Sequence, residues 1–149
     1  MSEFLEYTLD KFTFRIAADR FYNAHGVWAK EENGMVAIGL SDFLQQRSGD
    51  IAFAEVAEPG TNLDFEDEVA SIETIKVDIS LPSPVSGTVV DVNPAMETEP
   101  EKINEDPYGE GWLAVIEAAD WQADRIRLLD SQTYFEQVAA EAEEEAGNL

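Results

Sequence analysis

Lys76 is the residue of this chain best placed to do chemistry. It is the only Lys or Arg between positions 48 and 101, in a stretch holding thirteen carboxylates, and it stands between two apolar runs, Val69 to Ile75 and Val77 to Leu81. A lysine so placed is either a charge that protects an edge strand or the exposed tip of a hairpin. At a tip, its flexible four-carbon stem carries an amine into water as an attachment point. A third use, Schiff-base formation, needs desolvation or a cationic neighbour to free the amine. Glu73 and Asp78 beside Lys76 supply the opposite environment.

Few other side chains compete for a chemical role. The chain has no cysteine and one histidine, His25. That removes disulfides, Cys-ligated zinc, iron–sulfur clusters and thiol nucleophiles, and leaves His-based triads or metal sites short of members. Asp64, Glu66, Asp67 and Glu68 lack the alternating oxygen ligands and central glycine of a calcium loop and read as a solvated turn. Gly109 and Gly111 are too closely spaced for a phosphate cradle and read as turn residues. Asp130-Ser131 resembles the attachment serine of helical acyl carriers, but in a strand-rich chain it reads as a helix cap. A net charge of −23 argues against nucleic acid or an anionic membrane as partner, since binding phosphates requires clustered Lys and Arg. Partners are expected to be neutral or basic. No window approaches the roughly 18 consecutive apolar residues of a membrane span, and Met1-Ser2-Glu3-Phe4-Leu5-Glu6 lacks the basic start of a signal peptide, so the expected compartment is the cytoplasm.

The elements that must position Lys76 belong to a single modest domain, since 149 residues at 44% hydrophobic content sustain a folded core. Residues 4 to 16 alternate loosely, with Phe12 and Phe14 apolar between polar neighbours, and predict one strand or extended arm. Val27 to Lys30 and Met35 to Leu40, joined through Asn33-Gly34, predict a hairpin. Ser41 is a good N-cap for a short helix that Gly49 can stop in a left-handed conformation. Further strands are predicted at Asp50 to Val56, Val69 to Ile75, Val77 to Leu81, Val85 to Val92 and Trp112 to Ile116, divided by Gly and Pro clusters and by a polar connection from Asn93 to Asn104. Asp120 can cap a helix over Trp121 to Leu128. Asp130 or Ser131 can cap a second, whose Tyr134, Phe135, Val138 and Ala142 share one face. Glu141 to Glu145 is expected to fray into solvent. This spacing describes a small antiparallel sandwich or barrel followed by helices.

Glu73-Thr74-Ile75-Lys76, followed by Ser83-Pro84-Val85-Ser86-Gly87, resembles the modified-lysine hairpin of lipoyl and biotinyl carrier domains, and within them the H-protein branch. Ile75 and Val77 stand where biotin carriers usually have methionine, which favours lipoate. The likeness extends through His25-Gly26-Val27-Trp28, Ile38-Gly39-Leu40-Ser41, Ser48-Gly49-Asp50-Ile51, Glu55-Val56-Ala57-Glu58-Pro59-Gly60 and Asn104-Glu105-Asp106-Pro107-Tyr108-Gly109-Glu110-Gly111-Trp112, to Leu128-Leu129-Asp130 and Tyr134. The resemblance implies a mainly β fold with flanking helices, the lipoyl/biotinyl-carrier (barrel-sandwich hybrid) domain, with the modified lysine at a hairpin tip and a C-terminal helix. It divides the chain into an N-terminal extension (1–22), the carrier domain (23–118) and a C-terminal helical segment with an acidic tail (119–149). It further implies a non-catalytic carrier with lipoate in amide linkage to Lys76, and Glu73 helping the lipoylating enzymes recognise the hairpin. His25 is then either a surface residue or, with Val77 and Ile79, part of a cleft beside the arm, and residues Tyr108 to Trp112 are either another cleft wall or simple turn chemistry.

Departures from the ordinary family pattern bear on the cargo. Val77-Asp78-Ile79-Ser80 replaces the small residues that usually follow the lysine, Phe43-Leu44-Gln45-Gln46-Arg47-Ser48 replaces an Ala-Gln-x-x-Leu pattern, and about ten extra residues precede His25. These differences resemble those of lipoate-binding proteins serving the heterodisulfide-reductase-like system of cytoplasmic sulfur oxidation. The expected function is accordingly a swinging lipoyl arm that carries or presents sulfur intermediates to a heterodisulfide-reductase-like complex. The alternative is a glycine cleavage system H protein that carries the aminomethyl group between glycine decarboxylase and aminomethyltransferase.

Overall fold

The structure, a computed structural model, describes residues 3–147. Where the alternation of residues 4 to 16 predicts one strand, there are two: β1 (Phe4–Leu9) and β2 (Phe12–Ala17) pair antiparallel as a hairpin. The chain reverses at Asp10, which takes a left-handed backbone conformation (φ 56°) usually given to glycine or asparagine. β3 (Phe21–Tyr22) leads into β4 (Val27–Glu32) and β5 (Met35–Leu40). Asn33 and Gly34 join the last two with φ of 52° and 83°, the pair of positive angles that matches the turn to the strands' twist. Gly39 on β5 is obligatory, because a Cβ there would come within 2.6 Å of the Trp28 indole.

α1 (Asp42–Ser48) begins where Ser41 Oγ accepts the Leu44 N–H and ends at Gly49, φ 88°. Then come β6 (Ile51–Val56), β7 (Asn62–Leu63), β8 (Glu68–Thr74), β9 (Asp78–Pro82) and β10 (Gly87–Val92). The predicted polar connection contains two one-turn helices, α2 (Ala95–Thr98) and α3 (Lys102–Glu105). β11 (Ala114–Ala118) starts two residues later than predicted. α4 (Trp121–Arg125) and α5 (Ser131–Gly147) follow, capped by the Asp120 and Asp130 carboxylates, which accept the Ala123 and Thr133 N–H groups.

A six-stranded sheet in the order β3-β4-β5-β11-β10-β7 and a three-stranded sheet in the order β6-β8-β9 enclose the main core, with Ile38, Leu40, Val69, Ile72, Leu81, Val89 and Ile116 buried within it. Ser86-Gly87 opens β10, and a Cβ on Gly87 would lie 2.1 Å from the Glu117 carbonyl oxygen, so this glycine allows two strands to close together. Buried Asp124 fixes the same corner by accepting the Ser86 N–H (2.7 Å) and hydroxyl (2.8 Å) while pairing with Arg127 (2.6 Å). A second core joins the two ends of the chain. Phe14 and Ile16 from the N-terminal hairpin pack with Trp28, Phe43, Tyr134 and Val138, and Tyr22 and Tyr134 stack with centroids 4.3 Å apart.

Candidate functional site

Lys76 stands on the turn between β8 and β9, closed by the Glu73–Asp78 pair. Thr74 builds this turn. Its N–H donates to the Val77 carbonyl (2.9 Å), and its hydroxyl oxygen accepts the Lys76 N–H (3.1 Å) and the Val77 N–H (3.0 Å). Threonine suits the position because a short hydroxyl can satisfy local backbone groups that no strand partner reaches. Ile75 is 96% exposed at the tip. The Lys76 stem lies back over Gly49, where a Cβ would come 3.2 Å from Cε and 3.8 Å from Nζ.

Beside the turn is an open cleft of about 770 Å³. β9 supplies one wall through Ile79 and Leu81, with Val77 above it; α1 supplies Phe43, Leu44 and Arg47; the loop before β4 supplies His25; and Tyr134 of α5 lies across it. Lys76, Val77, Ile79 and His25 therefore share one cleft. Glu73 does not face it. That carboxylate lies on the outer face of the small sheet, in a separate groove of about 860 Å³ with Phe53, Glu55 and Glu97.

Several residues that build this cleft carried no sequence signal for that role. Asn23 ties two walls together, its side-chain oxygen accepting the His25 and Val27 N–H groups (both 3.0 Å) and its amide donating to the Pro82 carbonyl (3.0 Å). Asn104 secures the floor under Lys76: its amide donates to Gly49 O and Gln45 Oε1 (both 3.0 Å), and its oxygen accepts the Ile51 N–H (2.9 Å). Glu141 and Glu145 line the cleft's outer end, where Arg47 approaches them at 3.8 and 3.1 Å. The expected fraying is thus corrected: α5 runs on through Glu145, held by Val138 and Ala142 in the second core, with its acidic flank facing Arg47 of α1. A helical spacing of four between Glu141 and Glu145 was the available clue.

The Asp-Pro-Tyr block forms no wall of this cleft. Tyr108 sits behind α1, where its hydroxyl accepts the Asp42 N–H (3.2 Å) and donates to the Arg15 carbonyl (2.7 Å), fastening the N-terminal hairpin to the helix. Burial pushes the Tyr108 hydroxyl up to about 12, and likewise raises that of Tyr134, which shares a 2.7 Å hydrogen bond with Ser41. Both phenols keep their protons at neutral pH and can act as donors. No helix among the described residues is long and apolar enough to cross a membrane.

The glycine cleavage H-protein family model matches residues 20–141. The chain belongs to the glycine cleavage H-protein family. Among its relatives, a glycine cleavage system H protein of Thermus thermophilus is 38% identical over 127 residues, covering 85% of this chain and 98% of the relative. That of Oceanobacillus iheyensis is 40% identical over 116 residues, covering 78% and 91%. The crystal structure of a glycine cleavage system H protein from Mycobacterium marinum aligns with a TM-score of 0.74 at 28% identity, covering 80% of this chain and 96% of that one. These likenesses bear out the H-protein resemblance and the mainly β carrier fold with its C-terminal helix. β1, β2 and the residues up to Asp19 precede the family match.

Proposed function

We propose that this chain is the lipoyl carrier of a glycine cleavage system, with lipoate amide-linked to Lys76 and an aminomethyl group as cargo between glycine decarboxylase and aminomethyltransferase. The observation that carries the reading is a lysine on a stiff turn, over a glycine, beside an open cleft of mixed polar and apolar lining. That setting fits a hydrocarbon arm: the amine is exposed for acylation, and Val77 and Ile79 offer carbon surface alongside it. Such a group supplies the dithiol and disulfide chemistry that a chain without cysteine lacks. The protein's own residues break no bonds. Thr74 holds the attachment point, Asn104 and Asn23 hold the cleft, and Val77 and Ile79 limit the width available to a cargo. Glu73, three residues before the lysine on the outer face, is the side chain that the lipoylating enzymes would read. In this reading residues 23–118 are the carrier domain, 1–22 and 119–149 its terminal additions, and the protein works in the cytoplasm.

The relatives' names favour glycine cleavage over the sulfur-oxidation reading expected from residues 77–80, residues 43–48 and the extra residues before His25. That second reading retains one support, the bulk of Val77 and Ile79 at the cleft. Intact and peptide mass spectrometry of the protein isolated unreduced from its native host tests both. The expected result is a lipoyl-sized addition on Lys76 bearing an aminomethyl group in a fraction of molecules. Extra sulfur on the arm would replace glycine cleavage with the sulfur pathway, and an unmodified Lys76 throughout would overturn the carrier reading.

A further inference from the structure

The N-terminal hairpin does more than fill out the second core. Leu9, Phe12 and Phe14 of the hairpin, Phe43 of α1 and Ala142 and Ala146 of α5 line a mainly apolar, half-open chamber of about 310 Å³. Phe12 and Phe14 stack with nearly parallel rings at 6.2 Å, and Phe14 meets Phe43 edge-on at 5.0 Å. Phe12 remains half exposed (50%), so part of its ring is open at the chamber. This chamber adjoins the Lys76 cleft. Phe43, Gln46, Arg47 and Glu145 line both spaces, and the Arg47–Glu145 ion pair stands at the junction. That pair is about half exposed on both sides, so parting it costs little.

We infer that the hairpin-built chamber is the resting site for the sulfur-bearing end of the arm on Lys76. The inference rests on the carrier reading above and adds a place for the arm beyond the cleft. Three observations lead to it. The first is reach. Lys76 Cε lies against Gly49, the residue that ends α1, and Phe43 is six residues back along that helix, about 9 Å at the usual rise. An amide-linked lipoyl group extends about eight bonds past Nζ to its farther sulfur, on the order of 10 Å when extended, enough to bring the ring alongside Phe43 at the edge of the chamber. The second is chemistry. A dithiolane is a compact apolar ring with two polarizable sulfurs, and sulfur packs favourably against aromatic edges, which Phe12, Phe14 and Phe43 offer. The third is origin. The hairpin that makes the chamber lies before the family match at residue 20, so this space is an addition to the carrier and not part of its shared frame.

The test uses the full-length protein in apo and lipoylated forms, with occupancy of Lys76 verified by mass spectrometry. Backbone and aromatic NMR spectra of the two forms are compared. The expected result is that lipoylation shifts Leu9, Phe12, Phe14, Ala142 and Ala146 as well as the cleft residues. In parallel, the arm is reduced and its alkylation by iodoacetamide timed. Phe12→Asp is expected to speed alkylation about fivefold, the protection that one sulfur–aromatic contact of ordinary strength provides, with an unchanged circular dichroism spectrum. Shifts confined to His25, Ser48 and Ile79 to Leu81 would overturn the chamber and leave the carrier standing. So would concentration-dependent shifts of the hairpin in the apo protein, which would make a second copy the occupant. A protein that accepts no lipoyl group removes the carrier reading, and the chamber's occupant with it.

Discussion

Replacing Asn104 with alanine removes three hydrogen bonds from the corner beneath Lys76: two donated to Gly49 O and Gln45 Oε1, and one accepted from the Ile51 N–H. Each bond is worth about 0.5–1.5 kcal/mol net, and stranding a buried partner costs more than the bond itself. Ile51 is 5% exposed, so its N–H has little access to water once the side-chain oxygen is gone. The expected loss is about 2–3 kcal/mol, at the upper end of ordinary substitutions. In urea, with a slope of about 2 kcal/mol per molar, the unfolding midpoint should fall by roughly 1–1.5 M with no change in slope. Asn104→Asp sharpens the test. Aspartate keeps an acceptor for Ile51 but sets a carboxylate against the Gly49 and Gln45 oxygens, so it should destabilise at least as much as alanine. A loss under about 0.5 kcal/mol for alanine, or an aspartate variant close to wild type, would refute the assignment of Asn104 as the fastening of this corner.

Lys76→Arg should fold with unchanged stability, within about 0.5 kcal/mol for a surface substitution, while lipoyl incorporation measured by mass spectrometry is lost completely. Gly87→Ala would place a Cβ 2.1 Å from the Glu117 carbonyl oxygen, and forcing β10 from β11 should cost about 3 kcal/mol in a denaturant titration. The Asp130 carboxyl is held below its ordinary value near 3.8, chiefly by the Thr133 N–H it accepts. A carboxyl lowered by folding contributes stability that is present above its unfolded value and lost as pH falls through the folded one. Helical circular dichroism should therefore decline below about pH 4, and Asp130→Asn, which still caps but does not titrate, should remove that part of the decline.

What could be read directly from the chain was local. Asn33-Gly34 specifies the β4–β5 turn, Ser41 and Gly49 bracket α1, and an isolated lysine between two apolar runs marks a hairpin tip because nothing else explains a cation there. The N-terminal hairpin escaped because its reversal depends on Asp10 in a left-handed conformation, a cost met by pairing along the whole of β1 and β2. The second core was invisible for a different reason. Phe14, Phe43 and Val138 meet only after long loops close, and no local periodicity encodes which apolar face finds which. Trp112, predicted to open a strand, packs against that same core, which delays β11 until Ala114. Lys76, Val77 and Ile79 were legible as neighbours in sequence, whereas Arg47 and Asn104 join them only through the path of α1 and α3. The family is carried by likeness running from residue 20 to residue 141, whereas the departures at residues 77–80 and 43–48 and the extra N-terminal residues are local and do not alter that assignment.

The Thr74 hydroxyl, by holding the backbone of Lys76 and Val77, makes the lysine's base a pivot and confines motion to its stem. A group carried on a fixed pivot searches a small sphere and not the surrounding solution, so any reactive centre docked within that sphere meets it at an effective concentration in the millimolar range or above. Transfer after docking then depends little on how much carrier is in solution. It depends on whether each partner enzyme, once docked, lies within the radius that one lysine and its attachment can sweep.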